Sequence, residues 1–265
     1  MRLVTAEQVS DTLDRLGISP GDGLLVHSAL QYLGRPAGGL EMYYRAICQA
    51  LDIDPPPALP VPGLNGTLAV PAFNFDFTRG GAYDPVNTPS VGMGSFSEYV
   101  RTRPEAQRTP HPMQSLAVVG GHAADLVRRD TPCAFDPGSA FERMLELDFK
   151  LMLLGADIQA VSGLHYSEQR AAVPYRYWKE FNGLYRTPRG WETRRYRLFV
   201  RDLTIDARIE LYPVQSSLQA QGKWHSLSLN YGEVAACRLV DFVAEIDRYL
   251  AQDPWSLVTN RPAGE

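Results

Sequence analysis

The chain has 265 residues, of which 45% are hydrophobic and 21% charged, a composition that excludes a disordered polar chain and suffices for a substantial core. Its net charge of −4 argues against a nucleic-acid partner, which favours a basic stripe. No apolar run reaches the roughly 20 residues of a membrane span, and the three widely separated cysteines are typical of reduced thiols, so we expect a cytoplasmic protein without a membrane partner.

Short apolar runs alternate with amphipathic segments through the first half of the chain. Thr5 with Gln8 three residues later resembles a capping box, which starts a helix. The predicted elements are, in chain order, this helix up to Gly17, a buried strand at 24–26 ending near His27, a helix opened by Gly38 and Gly39, a proline-rich loop at 54–62 and a strand at 67–71.

The second half continues this alternation and then changes in texture. The predicted elements are an irregular connection at 74–94, a short helix at 95–103, a strand at 116–121, a helix capped by Ser139, a strand at 149–154, a helix beginning near Ser162, alternating strands at 195–201 and 207–212, and a helix at 231–250. This order predicts an α/β fold with a mixed sheet flanked by helices and a C-terminal antiparallel portion at 184–230. We expect residues 1–265 to form a single domain.

His165 and Glu168 stand three residues apart and share one face of the predicted helix. A carboxylate beside an imidazole fixes its tautomer and raises its basicity, which is the arrangement of a general base. Ser162, one turn earlier, offers a hydroxyl to a developing oxyanion. Because His-x-x-Glu also arises by chance, a capping or packing role for His165 stays open from spacing alone.

Two further polar clusters follow predicted strands or turns. Arg108 is a candidate phosphate ligand, His111 is held stiffly between two prolines, and Ser115 adds a hydroxyl. His27 and Ser28, at a strand end, are candidates for an anion site. A rigid turn and a core histidine are the structural alternatives for these clusters. The histidines lack ligand spacing on one element, so no metal site is predicted.

Taken together, five motifs in register resemble the aminoglycoside 3-N-acetyltransferase family of antibiotic acetyltransferases, which has its own α/β fold. The resemblance covers roughly residues 1–172. The motifs are Val26-His27-Ser28-Ala29-Leu30 with Leu33-Gly34, Gly66-Thr67-Leu68-Ala69-Val70-Pro71, Tyr83-Asp84-Pro85 with Gly92-Met93-Gly94, Arg108-Thr109-Pro110-His111-Pro112 with Ser115, and Leu153-Leu154-Gly155 with Leu164-His165 and Glu168.

The resemblance implies an acyl-CoA co-substrate, usually acetyl-CoA, whose acyl group passes to an amine with His165 as base. It assigns the coenzyme contacts to His27, Ser28, Ala29, Leu30, Arg108, His111 and Ser115. Catalysis is assigned to His165, Glu168 and Ser162, and the acceptor side to Tyr83, Asp157 and Gln159. No metal is implied.

Residues 155–164 depart from the pattern of the family, which usually has a second glycine, an acidic residue and an Asn-Thr pair there. This chain has Asp157, Gln159, Val161 and Ser162 in those places. The acceptor is therefore expected to be an aminoglycoside or another natural-product or sugar amine, and the basic, aromatic stretch at 175–201 favours one that is anionic or aromatic.

Two alternative functions remain open from the sequence. One is a serine-dependent esterase or deacylase using Ser28 or Ser115, although no nucleophile elbow is present. The other is a CoA-binding protein that has lost turnover. The sequence also leaves the oligomeric state open, with a homodimer among the options.

Overall fold

The computed structural model describes residues 2–53 and 65–262. The predicted proline-rich loop at 54–62 lies outside these residues. In the described ranges the helices are α1 (Ala6–Arg15), α2 (Leu40–Ala50), α3 (Gly94–Arg101), α4 (Ala123–Leu126), α5 (Ala140–Glu146), α6 (Leu164–Arg170), α7 (Tyr212–Ala220) and α8 (Leu239–Gln252). The strands are β1 (Leu3–Val4), β2 (Gly23–Ser28), β3 (Arg35–Pro36), β4 (Thr67–Pro71), β5 (Gln107–Arg108), β6 (Leu116–Gly120), β7 (Lys150–Leu154), β8 (Arg176–Thr187), β9 (Gly190–Arg201), β10 (His225–Leu229) and β11 (Gly232–Arg238).

Seven strands form one mixed sheet in the order β10-β11-β7-β2-β4-β6-β5. β2 runs parallel to β4 and to β7, whereas β6 and β11 run antiparallel to their neighbours. This arrangement confirms the predicted α/β fold with a mixed sheet flanked by helices.

The central strands are apolar on both faces because helices cover both sides of the sheet. In β2, Leu24 and Val26 pack into one hydrophobic cluster with α1, α2 and α3, while Leu25 packs into the other with α5, α6, α7 and α8. The same alternation places Leu151 and Met152 of β7 on opposite faces. The sheet is therefore the middle layer of three.

Local capping signals located the starts of two helices correctly. Thr5 accepts a hydrogen bond from the Gln8 backbone N–H, and the Gln8 side chain accepts one from the Thr5 N–H. Ser139 caps α5 by accepting from the Glu142 N–H at 3.2 Å. Such caps involve residues three apart in sequence, so they are readable without the fold.

Two predictions in the last quarter of the chain were wrong. Residues 207–212 form no strand beyond a single bridge between Ile209 and Val258, and α7 starts at Tyr212. The helix predicted at 231–250 begins only at Leu239, because residues 232–238 form β11, which pairs with β7 and β10.

β8 and β9 form a long antiparallel hairpin that stands as its own two-stranded sheet. The prediction of antiparallel strands near 195–201 is confirmed, although the hairpin begins at Arg176. Tyr185, Tyr196 and Leu198 of the hairpin pack with Phe77 and Tyr83 in a third, smaller hydrophobic cluster. Gly183 permits this packing, since a Cβ there would come within 2.7 Å of the Phe77 ring.

Candidate active site

Parallel pairing of β2, β4 and β7 puts their carboxyl ends at one edge of the sheet, where open α/β sheets bind ligands. Antiparallel β6 begins at the same edge, after Ser115. Gly155 turns the chain there with a φ of +73°, and a Cβ at this position would lie 2.7 Å from the Ala29 carbonyl oxygen. The loop after Gly155 leads to α6, which carries His165 and Glu168.

The predicted base and its carboxylate are in contact. His165 Nδ1 lies 2.6 Å from Glu168 Oε2, with the Glu168 side chain fully buried and the His165 side chain 34% exposed. This contact leaves Nε2 as the ring nitrogen that Glu168 does not engage. The ring is therefore held by one nitrogen and accessible to a ligand, as general-base catalysis requires.

Besides His165, the guanidinium of Arg176 at the start of β8 also contacts the Glu168 carboxylate. Its Nε lies 2.8 Å from Glu168 Oε2 as an ion pair, and its Nη1 donates to the Phe199 carbonyl. Burial of Glu168 opposes ionisation, but the hydrogen bond and charge of His165 and the charge of Arg176 outweigh it and lower the pKa of the carboxyl. Glu168 is thus an anion set between two cationic groups when His165 is protonated.

His165 lines a cavity of about 580 Å³, a size that suits a small-molecule ligand. The wall is drawn from separate parts of the chain: residues 75–78, Gln114, residues 133–135, α6, β8, and residues 198–203. Five of its sixteen lining residues are Phe or Tyr, and no Asp or Glu lines it among the described residues.

A smaller cavity of about 20 Å³, enough for one water molecule, shares Gln114 and Phe135 with the first. Ser162 and His111 line it. The Gln114 backbone N–H donates to His111 Nδ1 at 3.1 Å, while the buried Gln114 Oε1 has no hydrogen-bond partner in the described ranges. Ser162 thus lies next to the large cavity without lining it, and its catalytic role stays a prediction.

The predicted coenzyme contacts at the end of β2 are largely enclosed. His27 and Leu30 are buried, and the Ala29 N–H donates to the Leu154 carbonyl at 3.0 Å. Ser28 is partly exposed. None of these residues lines the cavity of His165, so their contact with a coenzyme remains a prediction.

Arg108, the predicted phosphate ligand, is engaged within the protein. Its guanidinium donates to the carbonyls of Ala72 and Thr88, and its Nε donates to the Ser115 hydroxyl at 2.8 Å. Ser115 in turn donates to the Ala72 carbonyl. A phosphate contact by Arg108, still a prediction, would have to displace some of these bonds.

The three residues assigned to the acceptor also lie outside the cavity lining. Tyr83 is buried beneath Arg108, whose guanidinium carbon lies 5.1 Å from the centre of the Tyr83 ring. Asp157 accepts from the Tyr212 hydroxyl at 3.0 Å, and Gln159 accepts from the Leu211 N–H at 3.0 Å. These two side chains fix the start of α7, and their role toward an acceptor stays a prediction.

Two buried histidines predict an acid-sensitive fold. Burial lowers the pKa of His27 and of His111 to about 4. An unfolded histidine binds a proton below about pH 6.5, whereas these native rings do not until about pH 4. The unfolded state therefore binds more protons in this window, and stability is lost as the pH falls through it.

We expect the free energy of unfolding to fall by about 1.4 kcal/mol for each such histidine and each pH unit below about pH 6.5. Denaturant titrations between about pH 7 and about pH 5 measure this slope. His27→Gln should reduce the slope, and His225→Gln, which changes an exposed ring, should not. Equal slopes in all three proteins would contradict the assignment.

Sequence reasoning missed Gln114 and Cys133 of the cavity, and it included Arg176 and Lys179 only as part of the basic, aromatic stretch at 175–201. Gln114 stands at a position that the Arg108–Ser115 motif leaves unspecified. Arg176 follows Glu168 by eight residues, and only the turn between α6 and β8 brings them together. No local pattern marks such residues.

Within residues 2–53 and 65–262, no group of three or more His, Cys, Asp or Glu side chains is placed to hold a metal ion. No helix of that part of the chain combines the length and apolarity needed to cross a bilayer.

A family model described as aminoglycoside 3-N-acetyltransferase matches residues 25–251. Aminoglycoside N(3)-acetyltransferase III of Salmonella sp is 29% identical over 188 residues, which cover 66% of this chain and 63% of that relative. Aminoglycoside N(3)-acetyltransferase VII of Streptomyces paromomycinus is 30% identical over 191 residues, covering 64% and 62%. The matched part thus spans less than two thirds of the length of these curated relatives.

Among solved structures, AAC-IIIb in a binary complex with CoASH superposes with a TM-score of 0.81 at 20% identity, covering 98% of this chain and 100% of that one. At this level of identity the likeness establishes a shared fold.

Proposed function

Because the chain belongs to the aminoglycoside 3-N-acetyltransferase family, as its motifs predicted, we propose that it transfers an acyl group from acyl-CoA to an amine of a small molecule. The observation that carries the proposal is the 2.6 Å contact between His165 and the buried Glu168, on the wall of a cavity of about 580 Å³. An oriented and accessible imidazole beside a cavity of this size supports the assignment of His165 as the base.

In the proposed reaction the amine nitrogen attacks the thioester carbonyl carbon. The N–C bond forms, the C–S bond breaks, and the coenzyme leaves as a thiolate. His165 Nε2 takes the proton that the amine loses, and the thiolate then takes up that proton. A placed base contributes about 10²–10⁴-fold, and alignment of two bound substrates contributes further.

The other residues have supporting roles in this proposal. Glu168 orients the imidazole and stabilises its protonated form. Ser162 or a backbone N–H steadies the oxyanion. Gln114 lines the cavity, and its side-chain amide suits the amide groups that the pantetheine arm of the coenzyme carries. We also propose a cytoplasmic location, since Cys48, Cys133 and Cys237 are all unpaired thiols.

The names of the relatives make aminoglycosides the first acceptors to test, followed by other natural-product or sugar amines. The experiment is release of the coenzyme thiol from acetyl-CoA in the presence of a panel of amines, with the N-acetyl product identified by mass spectrometry. We expect amine-dependent release and no acetylated protein. An acyl-serine adduct would favour the esterase alternative, and coenzyme binding without release would favour a protein that has lost turnover.

A further inference from the structure

The β8–β9 hairpin carries most of the positive charge near the cavity. Residues 176–201 contain eight Lys or Arg against two Glu, a net charge of +6 in a chain whose net charge is −4. Part of this hairpin forms one wall of the cavity of His165. Of these cations, Arg176, Lys179 and Arg201 line the cavity, and no carboxylate among the described residues does, which favours an anionic ligand.

The cations on this wall differ in how far they are neutralised. Arg176 pairs with Glu168 at 2.8 Å, and Arg201 lies 3.5 Å from Asp206. Lys179 has no carboxylate within ion-pair distance among the described residues, and its ammonium lies 5.6 Å from the centre of the Phe181 ring. Lys179 is thus a cation on the cavity wall with which an anionic group of a ligand would form an ion pair.

Aromatic rings supply much of the remaining wall: Phe75, Phe135, Tyr177, Phe181 and Phe199. Phe75 is 42% exposed and Tyr177 48% exposed, although large apolar side chains usually seek burial. Clustered, half-exposed rings in a concave site are typical of ligand contact, because they stack on a planar partner.

From this wall we infer that the acceptor is an amine that also carries an aromatic ring and an anionic group such as a carboxylate. The inference rests on the proposed function and names its substrate class. The rings hold the aromatic part, Lys179 meets the anionic oxygen, and His165 receives the proton of the amine. The N–C bond forms and the C–S bond of the thioester breaks as described above, so the anionic group is unchanged in the product.

A polycation is a poor fit to the same wall. Its ammonium groups would approach Lys179, and no carboxylate among the described residues of the lining offsets that repulsion. Aminoglycoside amines are accordingly expected to be weaker substrates here than an anionic aryl amine.

The test compares 4-(aminomethyl)benzoate with its neutral isostere 4-(aminomethyl)benzamide and with gentamicin, measured as kcat/KM for thiol release from acetyl-CoA. We expect the benzoate to exceed the benzamide at least about tenfold, the value of one charge-assisted contact. A benzoate no better than the benzamide, or gentamicin as the best of the three, overturns the inference while leaving acyl transfer intact. Thiol release with none of these or any other amine would instead fail the proposed function.

Lys179→Met tests the residue itself. The ratio of the benzoate to the benzamide kcat/KM should fall about tenfold, through KM for the benzoate. Arg189→Met, on the hairpin turn and outside the cavity lining, is the matched control and should keep the ratio. If Lys179→Met raises KM for acetyl-CoA and leaves the ratio unchanged, the cation serves the coenzyme phosphates and the inference is wrong.

Discussion

Replacing His165 by alanine is expected to lower turnover by about 10²–10⁴-fold, the contribution of a placed general base. The ring lies 2.6 Å from Glu168 on the cavity wall, so it is the base that the geometry provides for an amine there. Acetyl-CoA binding, measured by calorimetry, should change little because the lost interaction forms only when the proton moves.

The pH dependence of kcat/KM, calculated on the concentration of the unprotonated amine, separates this role from a merely structural one. In the wild type, activity should fall at acid pH because a protonated imidazole cannot accept a proton. His165→Ala should lose that limb of the profile, whereas the exposed His225→Ala should retain it. Near-normal turnover of His165→Ala, or an unchanged profile, would remove His165 from the mechanism.

Glu168→Gln is expected to impair both stability and turnover. The substitution leaves the Arg176 guanidinium, 12% exposed, without its counter-charge, and breaking such a buried pair costs about 3–5 kcal/mol. Turnover should fall by up to about 10⁴-fold, the loss seen when an amide replaces the carboxylate that orients a catalytic histidine. Denaturant unfolding and steady-state kinetics measure the two effects.

The double variant Glu168→Gln with Arg176→Met distinguishes the two effects. Removing the guanidinium should restore part of the stability, since no unpaired charge remains. Turnover should stay low, because the imidazole has lost the carboxylate that orients it. Wild-type stability in the single variant, or recovered turnover in the double one, would refute this view of Glu168.

Local signals account for what could be predicted from the sequence. His165 and Glu168 are three residues apart, so their contact follows from helix geometry once α6 is recognised. The buried strands β2, β4, β6 and β7 were readable as short apolar runs between turns. These features depend on neighbours in sequence, and the structure preserves them.

Features set by tertiary pairing were not readable. Val234-Ala235-Ala236-Cys237 is an apolar run that periodicity alone does not distinguish from a buried helix, and β11 is fixed by its pairing with β7. The same holds for the cavity, whose wall joins residues from β8, β9 and α6 with Gln114 from a distant loop. Local patterns in a single sequence do not predict which of these residues will meet in the cavity.

The two strands of the β8–β9 hairpin pair with each other, and the hairpin is joined to other segments by a bridge between Tyr83 and Tyr185 and by a hydrogen bond from the Arg197 N–H to the Pro132 carbonyl. The proposed base, His165, stands on α6, whereas much of the proposed acceptor surface stands on this hairpin. Mutations that diversify the hairpin therefore leave the ladder of the seven-stranded sheet intact. Apart from Arg176, which pairs with Glu168, residues of the hairpin can therefore vary between related proteins without changing the pair formed by His165 and Glu168.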